Sequence, residues 1–262
     1  MNLESKIASI QAKIQRNARA NVDVQETREL TENSVSKSNA LARGYYRFGL
    51  NEKRVMEAMV SRLDPRKTNN DFQQIELRAV EYAKAFNVTT KNAYSELEGA
   101  VNGLVKKIIT IPESADHYRQ YPLMAEAYYC KSEGKIVATF NPLLTPHLQG
   151  LRKRFCSYPL KQASSFKSSY TWRFFELLVS WAKPKDETGG IFAGWLTIEV
   201  EELRKVLGVP SSYSWGMFNK KVLSLATKEL QEKANIGLII TQQKTGRKIT
   251  HLKIEFIESD ES

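Results

Sequence analysis

The sequence predicts an α+β, helix-dominated fold of two similar modules in tandem, and three observations carry that prediction. The first is the run from Trp195 to Phe256. It reads in order as a short strand, a helix, a tight turn, a longer helix carrying lysines, and a two-stranded hairpin. The second is that part of this pattern occurs twice. A shift of about 121 residues lays Phe86 on Leu207, Val88 on Val209, Tyr94 on Trp215, Leu97 on Phe218, Val101 on Val222 and Leu104 on Leu225, which is the signature of an internal repeat. The third is charge. The 262 residues carry a net +10. Residues 1–150 hold 21 Lys and Arg against 17 Asp and Glu, whereas residues 151–257 hold 18 against 9. A helix that shows cations outward, beside a hairpin with a cationic tip, is the winged helix-turn-helix plan for gripping DNA. Two such units in tandem are therefore expected, and the C-terminal one holds most of the excess positive charge that attracts a polyanion.

Taken in order, residues 1–38 are expected to be a flexible arm. Leu3, Ile7, Ile10 and Ile14 recur at helical spacing, so a short amphipathic helix there would dock on the body or on a partner chain. From Asn17 to Ala40 the chain is polar and poor in large apolar residues, which favours disorder. The first winged helix is placed at 39–150. Its helices are expected to carry Val55, Met56, Met59 and Leu63, ending at Asp64-Pro65; then Ile75, Ala79, Tyr82, Ala83 and Phe86; then Tyr94, Leu97, Val101 and Leu104. The hydroxyls of Thr89 and Thr90 can cap the last of these. A hairpin joins residues 127–130 to 136–140 through Ser132-Glu133-Gly134. Residues 151–167 are expected to be a basic linker lying over the DNA backbone. The second winged helix occupies 168–257, and 258–262 is an acidic tail. It opens with a helix whose inward side is Trp172, Phe175, Leu178, Val179 and Ala182; helical spacing favours core packing over a base-stacking platform. Val200, Leu203, Val206 and Leu207 mark the next core face, closed by Gly208-Val209-Pro210, and Trp215, Phe218, Val222, Leu225 and Leu230 the one after.

Catalytic chemistry is absent from the pattern. His117, His147 and His251 are isolated from one another and from Cys130 and Cys156, so no metal site can be drawn. No phosphate-binding glycine loop occurs, and the histidine pair that a strand-nicking tyrosine enzyme needs is missing. The expectation is a non-enzyme without cofactor. Two unpaired cysteines point to a reducing cytoplasm. No apolar run is long enough to span a membrane, and residues 1–13 lack the apolar centre of a secretion signal.

The exposed N-terminal half of each second helix is where base contact is expected. In the second module these residues are Ser211, Ser212, Ser214, Asn219, Lys220 and Lys221; in the first they are Thr89, Thr90, Lys91, Asn92 and Ser95. Asn reads adenine and Lys reaches guanine. Arg152, Lys153, Arg154, Lys167, Lys244, Arg247 and Lys248 are cast as phosphate contacts, which position without specifying.

These residues also carry a resemblance. Leu196-Thr197, the run Glu202 to Val209, Tyr213, Phe218, Lys221-Val222-Leu223, Ala226 and Lys228-Glu229-Leu230 resemble the second winged helix of the iteron-binding plasmid replication initiators of bacteria. Gly246 to Ile249 with Leu252 to Phe256 resembles that family's wing, and Ser168-Ser169-Tyr170 with Arg173 to Leu178 its module-opening helix. Asn39 to Leu41, Tyr46 and Leu50 to Asp64 fit the first module more loosely, so the likeness covers roughly residues 39–257. One departure is Asn87, where that family has Gly in the helix turn. The resemblance implies an initiator that binds directly repeated double-stranded origin sites as a monomer, opens the origin, and recruits the host initiator protein and replicative helicase. It also implies a homodimer, formed through the first module, that represses its own gene at an inverted repeat. A tandem winged-helix transcription regulator without a replication role is the second reading, since both need only DNA binding. A protein-interaction module is the third, and the charge of the C-terminal half speaks against it.

Overall fold

The computed structural model describes residues 29–68 and 74–258. Strand β1 (Ser34–Ser38) follows a single 3-10 turn (Leu30–Glu32), and the helices α1 (Asn39–Ala42) and α2 (Leu50–Val60) come next. The first helix-turn-helix is β2 (Ile75–Arg78), α3 (Ala79–Phe86) and α4 (Thr90–Leu104). Two hairpins follow, β3 (Ile108–Pro112) with β4 (Tyr118–Pro122), and β5 (Met124–Cys130) with β6 (Lys135–Phe140). After them come α5 (Thr145–Leu148), β7 (Phe155–Pro159), α6 (Leu160–Ser164) and α7 (Ser169–Trp181). The second helix-turn-helix is β8 (Ala193–Glu199), α8 (Val200–Leu207) and α9, which runs from Trp215–Phe218 through a π turn at Asn219–Leu223 to Ser224–Ala234. Strands β9 (Ile236–Thr245) and β10 (Lys248–Glu258) close the second module as its wing.

The repeat is visible in the sheets. Each module has a three-stranded antiparallel sheet in which the strand before the helices pairs with the second strand of the wing, in the orders β2-β6-β5 and β8-β10-β9. Both helix turns close with a residue in the left-handed region, Gly208 at φ 68° and Asn87 at φ 50°. Asn is the side chain that enters this region at low cost, so the departure at Asn87 leaves the turn intact. Leu97 and Phe218 are buried at matching places, as are Val101 and Val222.

Four expectations are corrected. Ile75 is not on a helix: Ile75 and Leu77 point inward while Glu76 and Arg78 point out, and β2 pairs with β6. Its spacing to Ala79 and Tyr82 suits a helix equally well, and only pairing decides. Residues 29–38 are not a free arm, because β1 pairs with β7 in register from Ser34↔Pro159 to Ser38↔Phe155 and Val35 is wholly buried. The proposed helix at residues 3–16 lies outside the described residues, as does the tail beyond Glu258. Residues 151–167 are not a linker over DNA, since they contain β7 and α6 and bury Cys156, Tyr158, Leu160, Ala163 and Phe166. Leu225 is 54% exposed rather than core. The π turn adds a residue to one turn of α9, which rotates Leu225 outward and brings Ala226 into the core in its place, while Leu230 lies inward as expected.

Helix α7 belongs to both halves. It packs on α1 and β7 on one side and on β8, α8 and α9 on the other, with Trp172, Phe174, Phe175 and Leu178 buried in a core that runs through both modules. A boundary at residue 168 would part this helix from half of its contacts. Trp172, Phe174 and Phe175 of α7 are core, whereas Trp181 at its end is exposed.

Candidate nucleic-acid interface

In the second module the sequence builds the reading helix from its caps. Ser214 takes an extended conformation and its hydroxyl accepts from the amide of Met217 at 3.3 Å, opening α9. Arg204 of α8 reaches over the turn and donates to the carbonyl of Tyr213 at 2.8 Å, with its guanidinium 4.6 Å from the Phe218 ring centre. That clamp fixes where α9 starts. Nothing in the local sequence distinguishes Arg204 from a surface arginine, and only the folded turn shows that it holds Tyr213 and Phe218. Ser211, Ser212, Ser214, Asn219, Lys220 and Lys221 are all exposed, the last three within the π turn. Lys221 holds its ammonium 5.6 Å from the Tyr213 ring centre. The wing strands run well past the body. Residues 241–248 are exposed throughout and carry Lys244, Arg247 and Lys248 at the tip.

The first module places Thr89, Thr90, Lys91, Asn92 and Ser95 at the exposed start of α4, with the Thr89 hydroxyl accepting from the Asn92 amide at 3.2 Å. Its wing is shorter and differently used. Gly134 sits at φ 59° under the Tyr94 ring, where a Cβ would lie 2.2 Å from the nearest ring carbon. The wing turn therefore folds against the reading helix. Lys135 beside it is paired with Glu133 at 2.7 Å and with Glu76 at 3.1 Å. Unneutralised wing charge is thus concentrated in the second module.

Arg152, Lys153 and Arg154 are exposed on a loop that is tied to another one. The amide of Leu151 donates to the carbonyl of Pro65 at 2.9 Å, and Gly150 lies against Lys67 and Thr68. Arg66 and Lys67 thereby join the three expected cations in one basic surface, with Asp64 on Arg66 as the neighbouring acid. Two loops more than 80 residues apart in sequence make this patch, so periodicity gives no sign of it. Lys67→Ala is expected to weaken binding to all DNA alike and to shallow the slope of log affinity against log salt by about one unit; titration at several salt concentrations checks it. Lys167 is placed elsewhere. Its amide donates to Glu229 in the C-terminal half of α9, and the structure does not bring it to the reading end of that helix.

Beneath these surfaces, α7 carries two charged groups into the core. Glu176 takes Lys37 at 2.7 Å, Lys53 at 2.7 Å, Arg173 at 2.9 Å and the Tyr158 hydroxyl at 2.8 Å. Glu57 takes the same two lysines at 2.7 and 2.6 Å. Burial alone would raise the Glu176 carboxyl, but the three cations hold it well below the usual range. Three positive groups face two negative ones, and the surplus falls on Lys53, which burial pushes down to about 8. Between that value and its unfolded value of 10.5 the folded chain binds fewer protons than the unfolded one, so stability rises with pH through this window. Lys53→Met, which leaves two charges of each sign, is expected to raise Tm at pH 7 and to abolish the rise between about pH 8 and pH 10. Thermal unfolding across that range measures both.

Among the described residues no group of His, Cys, Asp and Glu could hold a metal ion, and no helix is long and apolar enough to cross a membrane. What the structure presents is two second helices, α4 and α9, with exposed N-terminal ends, each backed by a wing sheet of the same topology, and cations on the surfaces beside them. That defines a tandem winged-helix protein. The family described as "Initiator Replication protein, WH1" matches residues 34–179, and "Initiator Rep protein, WH2" matches residues 199–256. Together they cover most of the sequence, and the chain belongs to this family of replication initiators. It is 26% identical over 219 residues to a replication initiation protein of Escherichia coli, across 82% of this chain and 67% of that one. Among solved structures it is similar to the Pi initiator protein in complex with iteron DNA. That likeness has a TM-score of 0.71 at 18% identity, over 88% of this chain and 99% of the other, and it shows the shared fold.

Proposed function

We propose that this chain initiates plasmid replication in the bacterial cytoplasm by binding directly repeated origin sites, one copy of the chain per repeat, with both winged helices on one face of the DNA. The duplication of the reading unit carries this proposal. Two helix-turn-helix units on one continuous core can enter successive major grooves about 34–36 Å apart. Ser211, Ser212, Ser214, Asn219, Lys220 and Lys221, and in the first module Thr89, Thr90, Lys91, Asn92 and Ser95, are assigned to bases. Arg152 to Arg154, Lys244, Arg247 and Lys248 are assigned to phosphates, with Arg66 and Lys67 added. The similarity to an initiator solved on iteron DNA supports the choice of directly repeated sites. Origin opening, recruitment of the host initiator and helicase, and repression of its own gene by a homodimer complete the proposal, on the strength of family membership. No catalytic step is assigned to the chain.

The experiment is selection of bound fragments from the DNA flanking the gene, followed by footprinting at two salt concentrations. Several direct repeats, each protected over about two helical turns with strong salt dependence, are the expected result. A lone inverted repeat at a promoter, without direct repeats, would instead make the chain a transcription regulator.

A further inference from the structure

The two modules meet at a joint whose centre, at Arg173, Tyr46 and Val206, is buried. Arg173 of α7, 2% exposed, donates from Nη2 to the carbonyls of Gly44 at 2.8 Å and Val206 at 2.9 Å, and from Nε to Val206 at 3.1 Å. Its Nη1 donates to the Tyr46 hydroxyl and to Glu176. Gly44 and Tyr46 lie between α1 and α2 of the first module, and Val206 lies in the last turn of α8, the helix that leads into α9. One planar cation therefore grips both modules from the helix they share. Two residues beyond Val206, Gly208 rests on the first module: a Cβ there would stand 2.8 Å from the Tyr46 carbonyl oxygen and 3.0 Å from the Arg47 Cα. No side chain can separate the surfaces at that point.

A guanidinium offers its donors in a rigid fork, and each donor left unpaired in the core carries a desolvation penalty. The joint thus has one good geometry rather than a range of them. We propose that Arg173 is a positioning residue for DNA recognition, fixing the rotation of the second module against the first and so setting the base-pair spacing between the two sequences that the chain reads. This rests on both modules reading DNA, as set out above. Inserting one base pair turns the far half of a site by about 35° at roughly 10–10.5 base pairs per turn. A locked joint cannot follow that rotation; a loosened one can.

The test uses the full chain, its footprinted site, and versions of that site with one base pair inserted or deleted between the segments that the two modules protect. The wild-type chain is expected to lose roughly tenfold or more on each altered spacing, the scale of one spoiled base contact. Arg173→Met leaves Lys37 and Lys53 balanced by Glu57 and Glu176, so the core stays charge-matched. Its penalty for altered spacing is expected to shrink several-fold while its affinity for random DNA is unchanged. Tyr46→Phe, which removes a single acceptor, should show the same change in smaller measure and supplies the answer if Arg173→Met does not fold. Spacing profiles that run parallel to wild type in the folded variants would overturn the role of Arg173 and leave the function standing. A wild-type chain that is indifferent to spacing, or that binds no repeated site, would overturn two-module reading itself, and the joint's role with it.

Discussion

Glu176→Gln is expected to lower the stability of the fold by about 3–5 kcal/mol, the scale seen when one partner of a buried ion pair is removed. The substitution keeps the shape and deletes the charge. Lys37, Lys53 and Arg173 would then face only Glu57, and three cations in the core cannot all be neutralised by one carboxylate. At about 2–4 °C per kcal/mol for a chain of this size, Tm should fall by roughly 10 °C. A pH signature accompanies it. The folded carboxyl titrates well below its ordinary value of 4.5, so its contribution is fully present above that value and is lost as pH falls toward the folded one. Glu176→Gln should therefore flatten the acid side of the stability profile below about pH 4.5. Glu255→Gln is the control: this residue pairs with Lys253 on the open face of the wing sheet, where a change stays within about 0.5 kcal/mol. A Tm for Glu176→Gln within about 2 °C of wild type would mean that the cluster does not hold the modules together.

The second large effect concerns DNA. Lys221→Ala should weaken binding to the specific site by about 1–3 kcal/mol and relax preference at one base step, while leaving random DNA nearly untouched. Lys221 is exposed inside the π turn of α9, the stretch that carries the assigned base readers, and its ammonium lies over Tyr213 rather than on an acid. Arg247→Ala should do the opposite. At the tip of the wing it weakens all binding alike and lowers the salt slope by about one unit. Affinities of both variants for specific and random duplexes, each at several salt concentrations, separate the two behaviours. Equal losses on both DNAs for both variants would remove the division between reading and positioning.

The second module was legible in its sequence because its signals are local. Gly208 marks a helix end by its own backbone freedom, Ser214 sits where a cap belongs, and Phe218 and Val222 declare an inward face. The repeat extended this to the first module, including Asn87. Legibility ended where two periods fit the same residues, as at Ile75, and where one turn of a helix changed its own period, as at Leu225.

By itself, then, the sequence determined the class of fold, the order of the two winged helices, which polar residues stand exposed at the start of each second helix, and the half of the chain in which positive charge gathers. Each of these follows from the identity and spacing of residues close together in the chain. The tertiary structure alone decided that β1 pairs with β7, that Arg66 and Lys67 join Arg152 to Arg154, and that Lys37, Lys53, Glu57, Arg173 and Glu176 are core rather than surface. Along a chain, a charge on a helix face reads as solvated. Whether it is buried depends on which distant segment brings the opposite charge to cover it, and only the folded contact supplies that partner.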